Sequence, residues 1–292
     1  MLRSTIGGGV SGQVAYAMHH LKVRFNERYP GSLSAISMPL LHNLLTVLCG
    51  SLVGFSLALI GGGGSILAVP LLLYVVGVRD PHMAIGTSAL AVAANAYANL
   101  IPHARAGNVR WPAAFTFAAT GVVGAFLGSS LGKVIDGHRL LVLFALLMIV
   151  IAVLMLRGRR GHDGSGYPRA HMFPRLGAVG LGAGCLAGFF GIGGGFLIVP
   201  GLVFASGMAL IEAIGTSLFC VGSFGLTAAL NYASSGLVAW PIAIEFIVGG
   251  VAGGWLGMLA AKKLSKTRGA LTVLFAAVII AVAIFMLAKS LP

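Results

Sequence analysis

Apolar residues run through this chain in long blocks separated by short polar breaks. Ten blocks stand out: 44–60, 65–78, 82–103, 111–132, 139–157, 176–190, 195–206, 210–233, 240–261 and 268–289. Most are near the length of about 20 residues that an α-helix needs to cross a bilayer. Two of them, 65–78 and 195–206, are too short, and each follows a run of glycines. The first run is Ile60-Gly-Gly-Gly-Gly-Ser-Ile-Leu-Ala-Val-Pro70 and the second is Phe190-Gly-Ile-Gly-Gly-Gly-Phe-Leu-Ile-Val-Pro200. Glycine runs predict a broken helix, and a break inside a bilayer is tolerated only where it is buried in protein or lines a cavity.

Composition agrees with this pattern. Hydrophobic residues make up 58% of the chain and charged residues 9%, against about a quarter charged in soluble domains. The expectation is an all-α membrane protein of 8–10 transmembrane segments in 292 residues, with almost nothing left for a soluble domain. The net charge of +13 does not indicate nucleic acid, because the Lys and Arg residues lie mostly in loops between apolar blocks. Cys49, Cys185 and Cys220 fall in apolar segments without CxxC spacing and read as small packing residues. Residues 1–40 read as an extra-membrane tail, with a surface helix near 14–23 and without the apolar core of a signal peptide.

The chain repeats itself at an offset of 129 to 130 residues. Gly61, Gly63, Gly64 and Pro70 fall on Gly191, Gly193, Gly194 and Pro200, and Ile85-Gly-Thr-Ser88 falls on Ile214-Gly-Thr-Ser217. Gly107, Trp111, Gly124, Gly128 and Lys133 fall on Gly236, Trp240, Gly253, Gly257 and Lys262. Two homologous halves are therefore expected, 41–157 and 175–289, joined by a basic linker at 158–174. If the short block is a separate limb of a hairpin, the halves are inverted; if it continues the preceding helix, they are parallel. Loop charge favours inversion, since only that arrangement puts both the linker and the cluster Lys262, Lys263, Lys266 and Arg268 on the cytoplasmic side.

Where a half-helix restarts after Gly64 or Gly195, its first N–H groups lack partners and carry the positive end of the helix dipole. Such ends attract anions. The candidate binding set is Gly62, Gly63, Gly64, Ser65, Gly193, Gly194 and Gly195, with the hydroxyls of Thr87, Ser88, Thr216 and Ser217 and the deep amide of Asn95. Asn95 and Asn99 share a helix face at four-residue spacing, and His103 follows toward the helix end. Glu245, a carboxylate within a predicted span, and His103 are the candidates for a coupled proton. Glu212 is expected in a loop, and no Lys or Arg is expected deep in a span. Gly124, Gly128, Gly253 and Gly257 read as smooth helix-packing faces. Trp111 and Trp240, each before a proline, read as interfacial anchors. Clustered metal ligands and a phosphate-binding GxxxxGK[ST] loop are both missing from the sequence, so no metal and no cofactor are expected.

The paired glycine–Val-Pro segments, the paired Ile-Gly-Thr-Ser elements and the duplication resemble the sulfite exporter TauE/SafE family over residues 41–289. The resemblance implies a multi-pass permease of the cytoplasmic membrane for a small anion such as sulfite or a related organosulfur anion. The expected mechanism is secondary transport by alternating access. An anion channel of the same architecture is the first rival. The second is an intramembrane enzyme using Ser88 or Ser217 with His103.

Overall fold

The computed structural model describes residues 34–60, 65–157, 169–191, 193–263 and 268–290. Residues 45–292 form one compact unit; of the other, Met1–Leu44, the described part is the opening of the first helix. The glycines at 61–64 and the tail helix expected near 14–23 lie outside the described residues.

Every described element is helical. The helices are α1 (Ser34–Ile60), α2 (Ala68–Leu71), α3 (Pro81–Arg105), α4 (Trp111–Val134) and α5 (Gly137–Arg157), then α6 (Arg169–Phe190), α7 (Gly195–Ser206), α8 (Leu210–Ala233), α9 (Trp240–Lys263) and α10 (Arg268–Ser290). A 3₁₀ turn at 65–67 leads into α2, which widens into a π-helical stretch at Leu72–Val76. The ten apolar blocks thus become ten helical segments. The largest boundary difference is α1, which starts at Ser34, because Ser34 and Ser37 are polar but do not stop a helix. Glu212 is not in a loop but in the first turn of α8, where its charge suits the positive helix end.

Among the described residues six helices are long and apolar enough to cross a membrane: α1, α3, α4, α6, α8 and α9. These six are part of the expected eight to ten spans. The spans differ in burial. Two-thirds (67%) of the α3 and α8 windows is buried, against 39–44% for the other four. The pair α3 and α8 is therefore the middle of the body. Large apolar side chains such as Phe115, Phe126, Leu131, Ile244, Val248 and Trp255 point outward from α4 and α9, as lipid-facing surface does. Trp111 and Trp240 are exposed at helix starts, in keeping with interfacial anchoring.

Glycines set how closely the helices approach. A Cβ at Gly124 would strike the carbonyl of Leu181, and one at Gly128 the carbonyl of Cys185, so α4 lies directly against α6. A Cβ at Gly253 would strike the carbonyl of Ser51, and one at Gly257 the backbone of Phe55, so α9 lies against α1 in the same way. In a bilayer, where apolar burial does not drive helix association, this backbone proximity is the main source of attraction.

The contacts recur with the two sequence repeats exchanged. Thr87 Oγ1 accepts from the Ala239 N–H at 3.0 Å, and Thr216 Oγ1 accepts from the Arg110 N–H at 3.0 Å. Thr87 matches Thr216 and Arg110 matches Ala239 at the repeat offset. Each threonine thus satisfies a backbone donor at the start of a helix in the other repeat. Gly86 meets the carbonyl of Leu237, and Gly215 that of Asn108, again an exchanged pair. Direction follows from the same contacts. Gly86 lies by Tyr232, Tyr97 by Gly222, and Asn108 by Gly215, so α3 and α8 run antiparallel. Asn95 lies by Gly250 and Asn99 by Gly254, so α3 and α9 run parallel.

Candidate functional site

The second glycine run breaks the helix as its sequence predicts. Gly191, Gly193 and Gly194 take φ of +63°, +64° and +66°, values that side chains resist and glycine accepts. The chain turns there and α7 folds back along α6. Gly194 lies against Ala187 and Gly201 against Val179, an antiparallel hairpin. With 12 residues, α7 is about 18 Å long, too short to cross the core of about 30 Å. It ends at Gly207, whose φ is +66° and whose N–H closes on Val203.

The N-terminus of α7 is the informative end. Gly193 packs between Val92 of α3 and Val221 of α8, each about halfway along its helix. Gly194 is the cap residue and no side chain caps it. The Leu197 and Ile198 N–H groups donate to the Gly194 carbonyl at 2.9 and 3.1 Å, so of the first turn it is Gly195 and Phe196 whose N–H groups precede the intrahelical ladder, at the middle of the body and without a side-chain cap. Ser88 fastens the break to α3, donating to the carbonyls of Ile85 at 2.9 Å and Gly191 at 3.1 Å.

Asn95 stands less than one turn beyond Val92. It is fully buried, and neither its Oδ1 nor its Nδ2 has a hydrogen-bond partner. A buried polar group without a partner costs about 1–3 kcal/mol. The space it occupies exists because α9 has glycine there: a Cβ at Gly250 would collide with the Asn95 amide. Asn99, one turn on, is satisfied differently, its Nδ2 donating to the Asn95 carbonyl at 3.0 Å. The unpartnered side-chain group at the centre is thus the Asn95 amide, at the level of the uncapped start of α7.

The other expected site residues separate into groups. Gly62, Gly63 and Gly64 lie outside the described residues. Ser65 is fully buried at the start of the 3₁₀ turn. Gly195 opens α7 beside Gly193 and Gly194. Thr87 and Thr216 are used as acceptors at opposite ends of the α3–α8 pair. Ser217 donates to the carbonyl of Ile214 at 2.8 Å within its own helix. His103 lies in the last turn of α3 and Glu245 in the second turn of the parallel helix α9, so they occupy opposite ends of that pair. His103 Nδ1 and Glu245 Oε2 are each buried and unpartnered. Cavities of about 380 and 400 Å³ lie at the feet of the two short limbs, the first beside Arg79 and Lys289 and the second beside Arg110.

Sequence reasoning missed two polar clusters. Arg110 holds Glu212 with both carboxylate oxygens, at 2.8 and 3.1 Å, joining the starts of α4 and α8. At the other end of these helices, Lys133 is half-buried and donates to Asn231 Oδ1 at 2.8 Å, the Asn231 carbonyl at 3.1 Å and Ser235 Oγ at 3.0 Å. Asn231 in turn donates to Ser129 and Ser130 at 2.7 and 2.9 Å. The lysine is less exposed than its place at a helix end suggests, because Asn231 and Ser235 wrap it. The repeat pairs it with Lys262, which was the one available signal.

Comparison with known proteins gives one family. Residues 46–286 match the family described as Sulfite exporter TauE/SafE. A "Probable membrane transporter protein" of Xylella fastidiosa (strain 9a5c) is 56% identical over 249 residues, covering 85% of this chain and 95% of that one. "Probable membrane transporter protein YunE" of Bacillus subtilis (strain 168) is 27% identical over 243 residues, covering 76% and 89%. A third, from Haemophilus influenzae, is 29% identical over 215 residues, covering 70% and 79%, and bears the first of these descriptions. No solved structure matches the chain.

Proposed function

The chain belongs to the sulfite exporter TauE/SafE family and is a multi-pass membrane transporter of a small anion, and from that premise we propose that it is a secondary carrier working by alternating access in the cytoplasmic membrane. The anion binds at the centre of the body, held by the N–H groups of Gly195 and Phe196 at the start of α7 and by Asn95 Nδ2. The observation that carries this reading is the fully buried, unpartnered Asn95 amide at the level where α7 begins. In this reading Gly62, Gly63 and Gly64 of the first glycine run, with Ser65, serve the anion from the first repeat. Ser88 holds the break in place, while Thr87 and Thr216 hinge the two halves to each other.

The carrier consists of two inverted halves, 41–157 and 175–289. The antiparallel course of the matching helices α3 and α8 supports this, because a two-fold axis along the membrane normal would leave matching helices parallel. Helices α5 and α10 complete the bundle as further spans, giving eight with two re-entrant limbs. Inversion places the linker and the Lys262–Lys263 cluster on the cytoplasmic side, together with Arg105 and Arg110. A binding site between inverted repeats, at broken helices, is a recurrent transporter design.

Sulfite or a related organosulfur anion is the proposed substrate. A membrane potential negative inside favours export of an anion without a coupled ion, by about 2.3 kcal/mol per charge per 100 mV. Import would require a coupled cation, for which Glu245 and His103 are the proton-site candidates. The test is flux from proteoliposomes of sulfite, sulfoacetate, sulfate and chloride under an imposed potential. A carrier shows saturable, charge-moving flux of one of them. Non-saturating flux would mean a channel instead, and no flux of any would remove the assignment.

A further inference from the structure

A second set of unused polar groups lies at the end of the bundle where α4 and α8 finish. Tyr232, in the last turn of α8, is fully buried, and its hydroxyl has no hydrogen-bond partner. Its ring is received by two glycines of the other repeat. A Cβ at Gly86 of α3 would press on the Tyr232 side chain at 2.8 Å, and one at Gly132 of α4 would lie 2.9 Å from its hydroxyl oxygen. Side chains at either position would push the ring away; the same Gly132 gap also admits the Phe189 carbonyl, yet the hydroxyl makes no hydrogen bond. A phenol there offers one donor.

The surroundings favour negative charge. Lys133 follows Gly132, and its three hydrogen-bond acceptors are neutral oxygens of Asn231 and Ser235. Its ammonium is half-buried without a carboxylate among those partners; the nearest carboxylates along the chain, Asp136 and, across from Gly137, Asp80, cap the following helix and α3 instead. The ion pair Arg110–Glu212 belongs to the opposite end of the same helices. The repeat adds an independent observation. Tyr232 matches His103 at the offset of 129 residues, and the buried Nδ1 of His103 is also unpartnered. The same position in each repeat, at opposite ends of α3 and α8, thus holds an unused polar atom.

We propose that Tyr232 is an anion-binding station on the outer side of the carrier, separate from the central slot at Asn95, where the phenol donates to the entering or leaving oxyanion and Lys133 supplies the attracting field. This rests on the carrier reading given above. The phenol oxygen can itself accept from a cation, so the choice of a small anion with exposed oxygens rests on the positive charge of Lys133 at this end of α4.

Tyr232→Phe keeps the ring and removes only the donor. The variant should fold at least as stably as the parent, because it deletes an unsatisfied buried hydroxyl. Sulfite flux is measured in proteoliposomes with sulfite varied on one face at a time. The half-saturating concentration at the outer face should rise roughly tenfold, the loss of one hydrogen bond to a charged ligand, with the maximal entry rate rising in proportion, so that entry and exit still balance at equilibrium, and the inner-face value unmoved. Sulfite should also raise the unfolding temperature of the parent more than that of the variant. Unchanged half-saturation at both faces overturns the proposal, and so does an equal rise at both, which would place Tyr232 in the central site. A parent protein that moves none of the tested anions fails earlier and removes the carrier reading along with the station.

Discussion

Matching positions on α3 and α8 have opposite contents. On α3, Asn95 faces Gly250 of α9 and leaves both amide atoms unpartnered. At the repeat offset Asn95 becomes Phe224, and Gly250 becomes Gly121 of α4. Phe224 fills that slot, pressing on Gly121 and stacking on Phe117 at 6.1 Å with 18° between the rings. One turn on, Asn99 facing Gly254 becomes Ala228, and Gly254 becomes Ala125. The same backbone thus holds a dry aromatic plug in one repeat and an unsatisfied amide in the other. A duplicated fold doubles every scaffold contact but needs only one copy of a central polar group. The second copy is free to be filled for stability.

The largest expected effect tests the plug. Phe224→Ala should cost about 3–5 kcal/mol of stability, as truncation of a fully buried aromatic does. Transport by the protein that stays folded should be nearly unchanged, which unfolding in detergent and flux per folded molecule would separate. A loss of specific flux would mean that both slots serve the substrate.

Asn95→Leu should do the reverse. Flux should fall roughly 10- to 100-fold, the range for losing a hydrogen bond to a charged group. The unfolding temperature should hold or rise, since the unsatisfied amide is gone. Normal flux in a stable Asn95→Leu protein would end the functional side of the comparison.

Where the halves are alike, matched changes should match. Thr87→Val and Thr216→Val each leave one backbone N–H without its acceptor, at Ala239 and Arg110 respectively. Each should cost about 1 kcal/mol, and a several-fold difference between them would show that the two ends bear different loads. The smallest effect belongs to an asymmetric surface feature. Glu212→Gln breaks the ion pair with the exposed Arg110 side chain and should change stability by less than about 1 kcal/mol, an effect that added salt should shrink further in the parent.

Much of the architecture is legible along the chain. Apolar blocks locate the helices because the bilayer responds to local hydropathy over about 20 residues, and a neighbour far away in sequence is not needed. The break at Gly191–Gly195 is local for the same reason: successive positive φ values require glycine. The packing glycines announce themselves by spacing, and the repeat by its register. Asn95 stands out as a polar residue deep in an apolar block. The sequence alone could not show that its amide lacks a partner, nor that Thr87 and Thr216 serve as acceptors across the repeats. Those properties depend on which distant backbone comes close. Tyr232 looks like an ordinary helix-end aromatic until Gly86 and Gly132 enclose it, and Lys133 looks like a loop charge until Asn231 and Ser235 surround it. The hydrophobic pattern, with the glycine run at 191–195, determined which of the described segments are helical and where the second repeat breaks. The pairing of α3 with α8 and of α4 with α6 was decided only by tertiary packing, because contact between helices is a property of two surfaces, and one segment of sequence describes only its own.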